Sequence, residues 1–496
     1  MEKYKNLIGE KLVAPVSGQY FENINPADRE DIVGLFPRSG AEDVNNAVQA
    51  ARQAFRNWSN LVPPKRGELI YKTAELLLKH QERLAKVIVR EMGKTLPESM
   101  GDIQSSADVA FFMAGEGRRM YGQTTFSALS NRWALTKRYP VGVCGLLTAW
   151  NAPMAIITWK LFPALICGNT VVLKPSEDTP YTAHLLGEIL KEAGFPDGVV
   201  NIIYGVGSET GEELVKNKDV NLVSFTGSSR VGQKISEECG RQMKKCSLEL
   251  GGKNGLLVMD NADLAAAAKA VAAGAFSTAG QRCAATSRVF VHEGIYDDFM
   301  ERLLAETRKM PVGLGTEPET KVCPIINKRQ FASILSYIEN AKQEGARLLY
   351  GGKALKEGKF SKGNFIEPTI FSGVDMNSKL AQEEIFGPVL AGFKIKSLRE
   401  GIDKVNSVPY GLTASIFTSD MDQALYAMDN FAVGCCYVNG PTFGSEPHLP
   451  FGGWKLSGNG HREPGTQAID VFSEWKTIYL DYSGIVQQSQ YEIKDE

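Results

Sequence analysis

Apolar positions recur every three or four residues early in the chain, then switch to short continuous runs after residue 140. From Ser39, the segment SGAEDVNNAVQAARQAFRNW places Val44, Ala47, Val48, Ala51, Phe55 and Trp58 at helical spacing. Ser39 and Glu42 have the form of a capping box, so the helix is expected to open at Ser39. A second helix is expected across residues 66–92. Five apolar runs follow: VGVCGLLT (141–148), NTVVLK (169–174), VVNIIY (199–204), NLVSF (221–225) and CSLEL (246–250). Stretches such as YTAHLLGEILKEAG between them are long enough for crossover helices. Continuous apolar strands separated by helices predict a parallel sheet covered on both faces, with a doubly wound nucleotide-binding sheet as the leading reading.

A second alternating block runs from residue 255 to about residue 440. It contains an Ala-rich helix at 263–274 and a strand around 288–292, and reads as a second α/β domain. Two polar/apolar stretches, 132–139 and 475–480, belong to neither core and are expected to form a projecting, partner-seeking ribbon.

Composition narrows the function. A chain of 496 residues suggests about three structural units at roughly 150 residues each. Its 55 basic and 57 acidic residues leave a formal charge of −2, which gives no electrostatic footprint for nucleic acid or an acidic membrane surface. No apolar run reaches the roughly 18 residues needed to span a bilayer, and no apolar signal core follows the first five residues. The eight cysteines form no CxxC pair and the five histidines show no metal-ligand spacing, so a reducing cytosol fits and a metal site is not expected.

Several residues could carry chemistry. Two glycine turns, one at Gly205–Gly211 and one at Gly227–Gly232, each lie between a strand and a helix, where backbone N–H groups can hold a pyrophosphate. Such glycines also simply make tight turns, and the first has GxGxxxG spacing rather than GxGxxG. Lys174 ends an apolar strand before Pro175, at the edge where open α/β sheets bind ligands. With Glu177 it could address a cofactor ribose, and a carboxylate there would favour NAD over NADP; the alternative is a solvated loop. Cys283 follows the Ala-rich helix across a Gly-containing turn, as a nucleophile or as a small buried hydrophobe. Arg282 would stabilise its anion if it turned inward. Glu249 lies inside an apolar run ending in Gly-Gly, where partial desolvation would raise its pKa and suit it to general-base work. Asn151 follows a strand directly and could donate to a developing oxyanion.

Together these pieces resemble the aldehyde dehydrogenase superfamily over essentially the whole chain. The motifs appear in order: WNxP at Trp150, GNTVVLKPSE at Gly168, FTGSxxVG at Phe225, LELGGKN at Leu248, GQRC at Gly280, EEIFGPVL at Glu383 and PFGGxKxSG at Pro450. The resemblance implies a Rossmann-type cofactor domain (1–122 and 141–251), a second α/β catalytic domain (252–455) and a small oligomerisation ribbon (123–140 and 470–496) that makes dimers or tetramers. It implies Cys283 as nucleophile, Asn151 and the Cys283 N–H as oxyanion hole, Glu249 as the base that hydrolyses the thioacyl enzyme, and Lys160 as a supporting lysine. Trp150, Lys174, Glu177, Gly227, Ser228, Gly232, Leu250, Glu384 and Phe386 match cofactor contacts, with NAD expected and NADP open, and Gly227 is expected to matter more than Gly205. The implied reaction is oxidation of an aldehyde to the free acid. Relatives that pass the acyl group to coenzyme A usually lack the glutamate at position 249.

Departures bear on the substrate. Ala152 replaces the Phe of the common PWNFP, a pattern similar to some aromatic-aldehyde dehydrogenases, while Trp159 keeps an aromatic lining position. Phe443 and His448 lie where the family contacts substrate tails. Phrasing such as REMGKTLPE (90–98) looks like semialdehyde-type branches, including α-ketoglutaric semialdehyde dehydrogenases. Three alternatives stay open: a coenzyme A-acylating semialdehyde dehydrogenase, a non-catalytic structural member, and a Cys/His hydrolase, for which no histidine partner is identifiable.

Overall fold

The computed structural model describes residues 1–484 and 486; the end of the expected ribbon lies outside them. The five apolar runs form the parallel part of one seven-stranded sheet, ordered Lys245–Glu249, Leu222–Thr226, Val143–Leu147, Thr170–Lys174 and Val200–Ile202. A hairpin of Asn6–Ile8 and Lys11–Val13 adds to the far edge antiparallel. Val143–Leu147 and Thr170–Lys174 are buried along their whole length because helices cover both faces. Chain order runs outward both ways from Val143–Leu147. The switch crevice therefore opens between its carboxyl end and that of Leu222–Thr226, with Trp150–Asn151 on one side and Gly227–Ser228 on the other.

The second block makes another seven-stranded sheet, in the order Arg347–Tyr350, Thr369–Ser372, Val389–Ile395, Thr286–His292, Asn254–Val258, Thr413–Phe417 and Cys435–Val438. All its pairings are parallel except that of Arg347–Tyr350. Only Leu250–Lys253 separates the carboxyl end of Lys245–Glu249 from the amino end of Asn254–Val258. Glu249 thus ends the edge strand of the first sheet, with four residues between it and an interior strand of the second. Arg132–Pro140 pairs antiparallel with both Ser473–Asp481 and Thr124–Phe126 as a three-stranded ribbon.

Two helix expectations need correction. The first helix spans Ala41–Asn60, and its box is made by Asp43, whose carboxylate accepts from the Gly40 N–H at 3.0 Å. Ser39 instead turns inward to Asn6, which donates to its hydroxyl at 2.9 Å. The expected helix across 66–92 is two, Pro63–Lys79 and Gln81–Met92, broken at His80 (φ −102°, ψ 12°). Apolar spacing continues through the break, so the pattern alone did not show it.

Candidate active site

Cys283 lies on the short connection between the Ala-rich helix Leu264–Phe276 and the strand Thr286–His292. Thr278 and Ala279 ahead of it adopt left-handed backbone (φ 52° and 54°), which costs non-glycine residues about 1–2 kcal/mol each. Surrounding contacts hold that geometry. Glu98 accepts from the Thr278 N–H and hydroxyl, both at 2.9 Å, and from Arg282 at 3.0 Å. Buried Gln281 donates to the carbonyls of Thr278 and Pro324 and accepts from the Ile326 N–H. At Gly280 (φ 66°) a Cβ would sit 2.3 Å from the Gly387 carbonyl oxygen, so only glycine fits. The Asn254 amide then donates to the Cys283 carbonyl at 2.7 Å and to the Ala285 carbonyl at 2.9 Å. The loop is fastened on both sides of the thiol.

Two carboxylates act on that thiol. Burial, then Glu384 and Glu249, push the Cys283 thiol up to about 12. Arg282 does not oppose them: its guanidinium goes to Glu98 and lies 4.7 Å over the Phe443 ring, so the condition for it to stabilise the thiolate, an inward turn, is not met. Glu249 is 5 % exposed and neither carboxylate oxygen has a hydrogen-bond partner. Burial first, and then Glu463, raise its pKa well above the usual carboxylate range. A Cβ at Gly452 would come within 2.5 Å of one of its oxygens, so glycine leaves the room the carboxylate occupies. Glu384 accepts from the Gly252 N–H at 3.0 Å, and burial raises it to about 7.

Lys160 is fully buried and points not at Cys283 but at Glu463, with its ammonium 2.7 and 2.9 Å from the two carboxylate oxygens and 3.0 Å from the Ser224 hydroxyl. Ser224 and Ser247 are register partners on adjacent strands and both donate to Glu463, at 2.8 and 3.3 Å. Asn151 is buried just before the helix Pro153–Ile166. Asp102 holds that turn by accepting from the Ala155 N–H at 2.7 Å.

Toward the first sheet, Lys174 and Glu177 pair at 3.1 Å, and the Lys174 charge helps hold Glu177 below the usual carboxylate range despite burial. The Gly207 N–H also stabilises Glu177, so the turn after Gly205 abuts the Lys174–Glu177 edge rather than standing apart from it. Ser228 caps the helix Ser229–Arg241. Gly232 in that helix packs against Leu250, where a Cβ would meet a methyl at 2.5 Å. Phe386, itself left-handed (φ 55°), meets Trp150 edge-on at 5.2 Å across the two sheets. Of the residues expected to select substrate, Trp159 packs edge-on against Phe451 at 5.6 Å, Ala152 precedes the Pro153 helix, and Phe443 lies under Arg282. His448 is exposed, paired with Glu446 at 3.6 Å and 6.5 Å from the Phe112 ring. Thr442 ties this loop to the nucleophile loop, donating to the Ala284 carbonyl at 2.7 Å.

Glu98, Asn254, Asp102, Thr442 and Glu463 were not singled out for a role from the sequence. Thr95 and Glu98 form a capping box whose spacing is visible in TLPE. The partners of the others lie far away in the chain.

The model of the aldehyde dehydrogenase family matches residues 13–478. The chain belongs to the aldehyde dehydrogenase family. It is 43% identical over 96% of its length, and 98% of the relative's, to an alpha-ketoglutaric semialdehyde dehydrogenase of Bacillus subtilis. An alpha-ketoglutarate semialdehyde dehydrogenase of Haloferax volcanii is 40% identical over 96% of this chain and 99% of that one. Among solved structures, betaine aldehyde dehydrogenase of Staphylococcus aureus in complex with NAD+ superposes with a TM-score of 0.95 at 32% identity, covering 99% of this chain and 98% of that one. This aldehyde dehydrogenase is accordingly an NAD(P)-dependent oxidoreductase of aldehydes.

Proposed function

We propose that Cys283 attacks the aldehyde carbon and that Glu249 draws the proton from the water that later releases the acid. The observation carrying this is the buried Glu249 carboxylate, with both oxygens unpartnered, acting electrostatically on the Cys283 thiol. A buried carboxylate kept without partners would be a plain cost in a structural protein. A raised pKa lets it serve both as proton acceptor and, once protonated, as donor.

The residues present fit a dinucleotide. The amino end of the Ser228-capped helix offers backbone N–H groups, the Lys174–Glu177 pair offers a cation and a carboxylate for ribose hydroxyls, and Glu384 offers a second carboxylate beside Cys283. When bound, NAD(P)+ would supply the two-electron acceptor for the oxidation. Asn151 and the Cys283 N–H stabilise the oxyanion formed as sulfur bonds to carbon. The acyl group left on sulfur is a thioester, which unactivated water attacks slowly; Glu249 activates that water and the free carboxylic acid leaves. The 252–455 region acts as catalytic domain, residues 1–122 and 141–251 as cofactor domain.

The substrate is a short semialdehyde of the α-keto acid type, a reading supported by the names of the two relatives and by the REMGKTLPE phrasing. The ribbon joins copies into a dimer or tetramer, its exposed Trp133, Trp475, Tyr479 and Leu480 supplying apolar contact area. A cytoplasmic setting agrees with eight cysteines that all stand as free thiols, and none of the described helices is long and apolar enough to cross a membrane. The test is reduced-nicotinamide formation from NAD or NADP without coenzyme A, using a panel of α-keto semialdehydes, aromatic aldehydes and short aliphatic aldehydes. Preferred turnover of the semialdehydes is expected. Turnover only with coenzyme A, or none with any aldehyde, would overturn the hydrolytic reading.

A further inference from the structure

The helix Ser229–Arg241 and the strand Lys245–Glu249 are joined by a tight turn. Met243 takes left-handed backbone (φ 53°), and the N–H groups of Gln242 and Lys244 both bond back to the Cys239 carbonyl, at 3.1 and 2.9 Å. The Lys244 ammonium clamps the turn from below, donating to the carbonyls of Val215 and Asn217 at 2.6 and 2.8 Å. This fold-back packs the half-buried Cys246 on the strand against the apolar cluster that holds Cys239, fully buried on the helix. From the other side Asn459 donates to the Cys246 sulfur at 3.5 Å and to the Cys246 carbonyl at 2.9 Å. Neither cysteine takes part in the proposed reaction.

We propose that Cys246 and Cys239 form a redox-modification site: hydrogen peroxide oxidises Cys246, and Cys239 resolves it to an intramolecular disulfide. The Cys246 thiolate attacks the distal peroxide oxygen; the S–O bond forms, the O–O bond breaks, and the departing hydroxide takes a proton to become water. The product is a sulfenic acid. The Cys239 sulfur then attacks the sulfenic sulfur, expelling the hydroxyl, which leaves as a second water with the Cys239 proton. Two thiols are oxidised by two electrons and one peroxide is reduced to two waters. Donors converging on the Cys246 sulfur from Cys239, Ser236 and Asn459 hold its pKa below the ordinary thiol range, so it is the attacking partner. Buried Cys239, raised by that hydrogen bond and by burial, is the resolving one.

The test uses full-length Cys283→Ser protein, so that the candidate nucleophile adds no oxidation of its own. After hydrogen peroxide treatment and alkylation, trypsin should release Ile235–Arg241 joined to Cys246–Lys253, a pair that separates on reduction. Adding Cys239→Ser should abolish the cross-link and leave a sulfenic acid at Cys246 that a dimedone probe traps. Adding Cys246→Ser should abolish both products. Full alkylation of Cys239 and Cys246 at peroxide doses that already oxidise exposed Cys436 would overturn the proposal, as would overoxidation of Cys246 with no cross-link.

Discussion

The Lys160 ammonium lies 2.7 Å from one carboxylate oxygen of Glu463, a residue 303 positions away in the chain. Both are almost wholly sealed from solvent. Burial raises the pKa of Glu249 most; Glu463 raises it further and Lys160 lowers it, so this pair tunes the proton affinity of the proposed base.

Replacing either member should therefore move the pH profile in opposite directions. Lys160→Met removes a charge that lowers the Glu249 pKa, so the acidic limb of kcat shifts to higher pH. Glu463→Gln removes a charge that raises it, and the limb shifts to lower pH. Each single change breaks a buried ion pair and should cost about 3–5 kcal/mol in denaturant unfolding. Pairing Lys160→Met with Glu463→Leu should recover part of that loss. Identical shifts in both single variants would separate the pair from Glu249.

The roles of Cys283 and Glu249 can be told apart within one turnover. Cys283→Ala should lower turnover by on the order of 10³-fold or more while NAD binding, read by nicotinamide fluorescence quenching, survives. Glu249→Gln should keep a burst of roughly one reduced nicotinamide per site, followed by slow steady turnover, because only thioester hydrolysis loses its base. Loss of the burst as well would assign Glu249 to thiol activation.

Much of this arrangement was legible in the sequence. The parallel strands are continuous apolar runs because both their faces are covered, and their parallel direction follows from crossover helices too long for hairpins. Glu249 stood out as a carboxylate inside such a run. What the chain did not display was long-range pairing. Arg282 adjoins Cys283 in sequence, yet Glu98 draws it away. Glu463 carried no signal because Ser224, Ser247 and Lys160 reach it from three separate segments. The break at His80 was hidden because apolar spacing continues on both sides of it.

The charge around Cys283 predicts its reactivity. Burial and the Glu384 and Glu249 carboxylates hold the thiol up to about 12, and no cation opposes them among the causes of that shift. Burial raises Glu384 to about 7, so above that pH Glu384→Gln removes a charge beside the thiol, lowers the thiol pKa and raises the thiolate fraction. Alkylation of Cys283 by iodoacetamide in the cofactor-free protein should quicken by roughly 3- to 10-fold, about half to one pKa unit. It should also rise with pH up to at least pH 9 in the unmodified protein. An unchanged rate in Glu384→Gln would show that desolvation alone sets the thiol.

Cofactor choice turns on Glu177. Its carboxylate sits 3.1 Å from Lys174 and is held below the usual carboxylate range, so it is ionised at neutral pH. An ionised carboxylate accepts from ribose hydroxyls and repels a 2′-phosphate, whereas Lys174 would attract that phosphate once its partner is gone. Glu177→Ser should therefore shift the kcat/KM ratio of NADP to NAD upward by about 10- to 100-fold, a differential binding change of roughly 1.4–2.8 kcal/mol. The shift should shrink as salt rises, since part of it is charge repulsion at a partly open site. Lys174→Met gives the opposing control: it removes the cation and keeps the carboxylate, so NADP should weaken more than NAD. A ratio that moves the same way in both variants would place the ribose elsewhere along this edge.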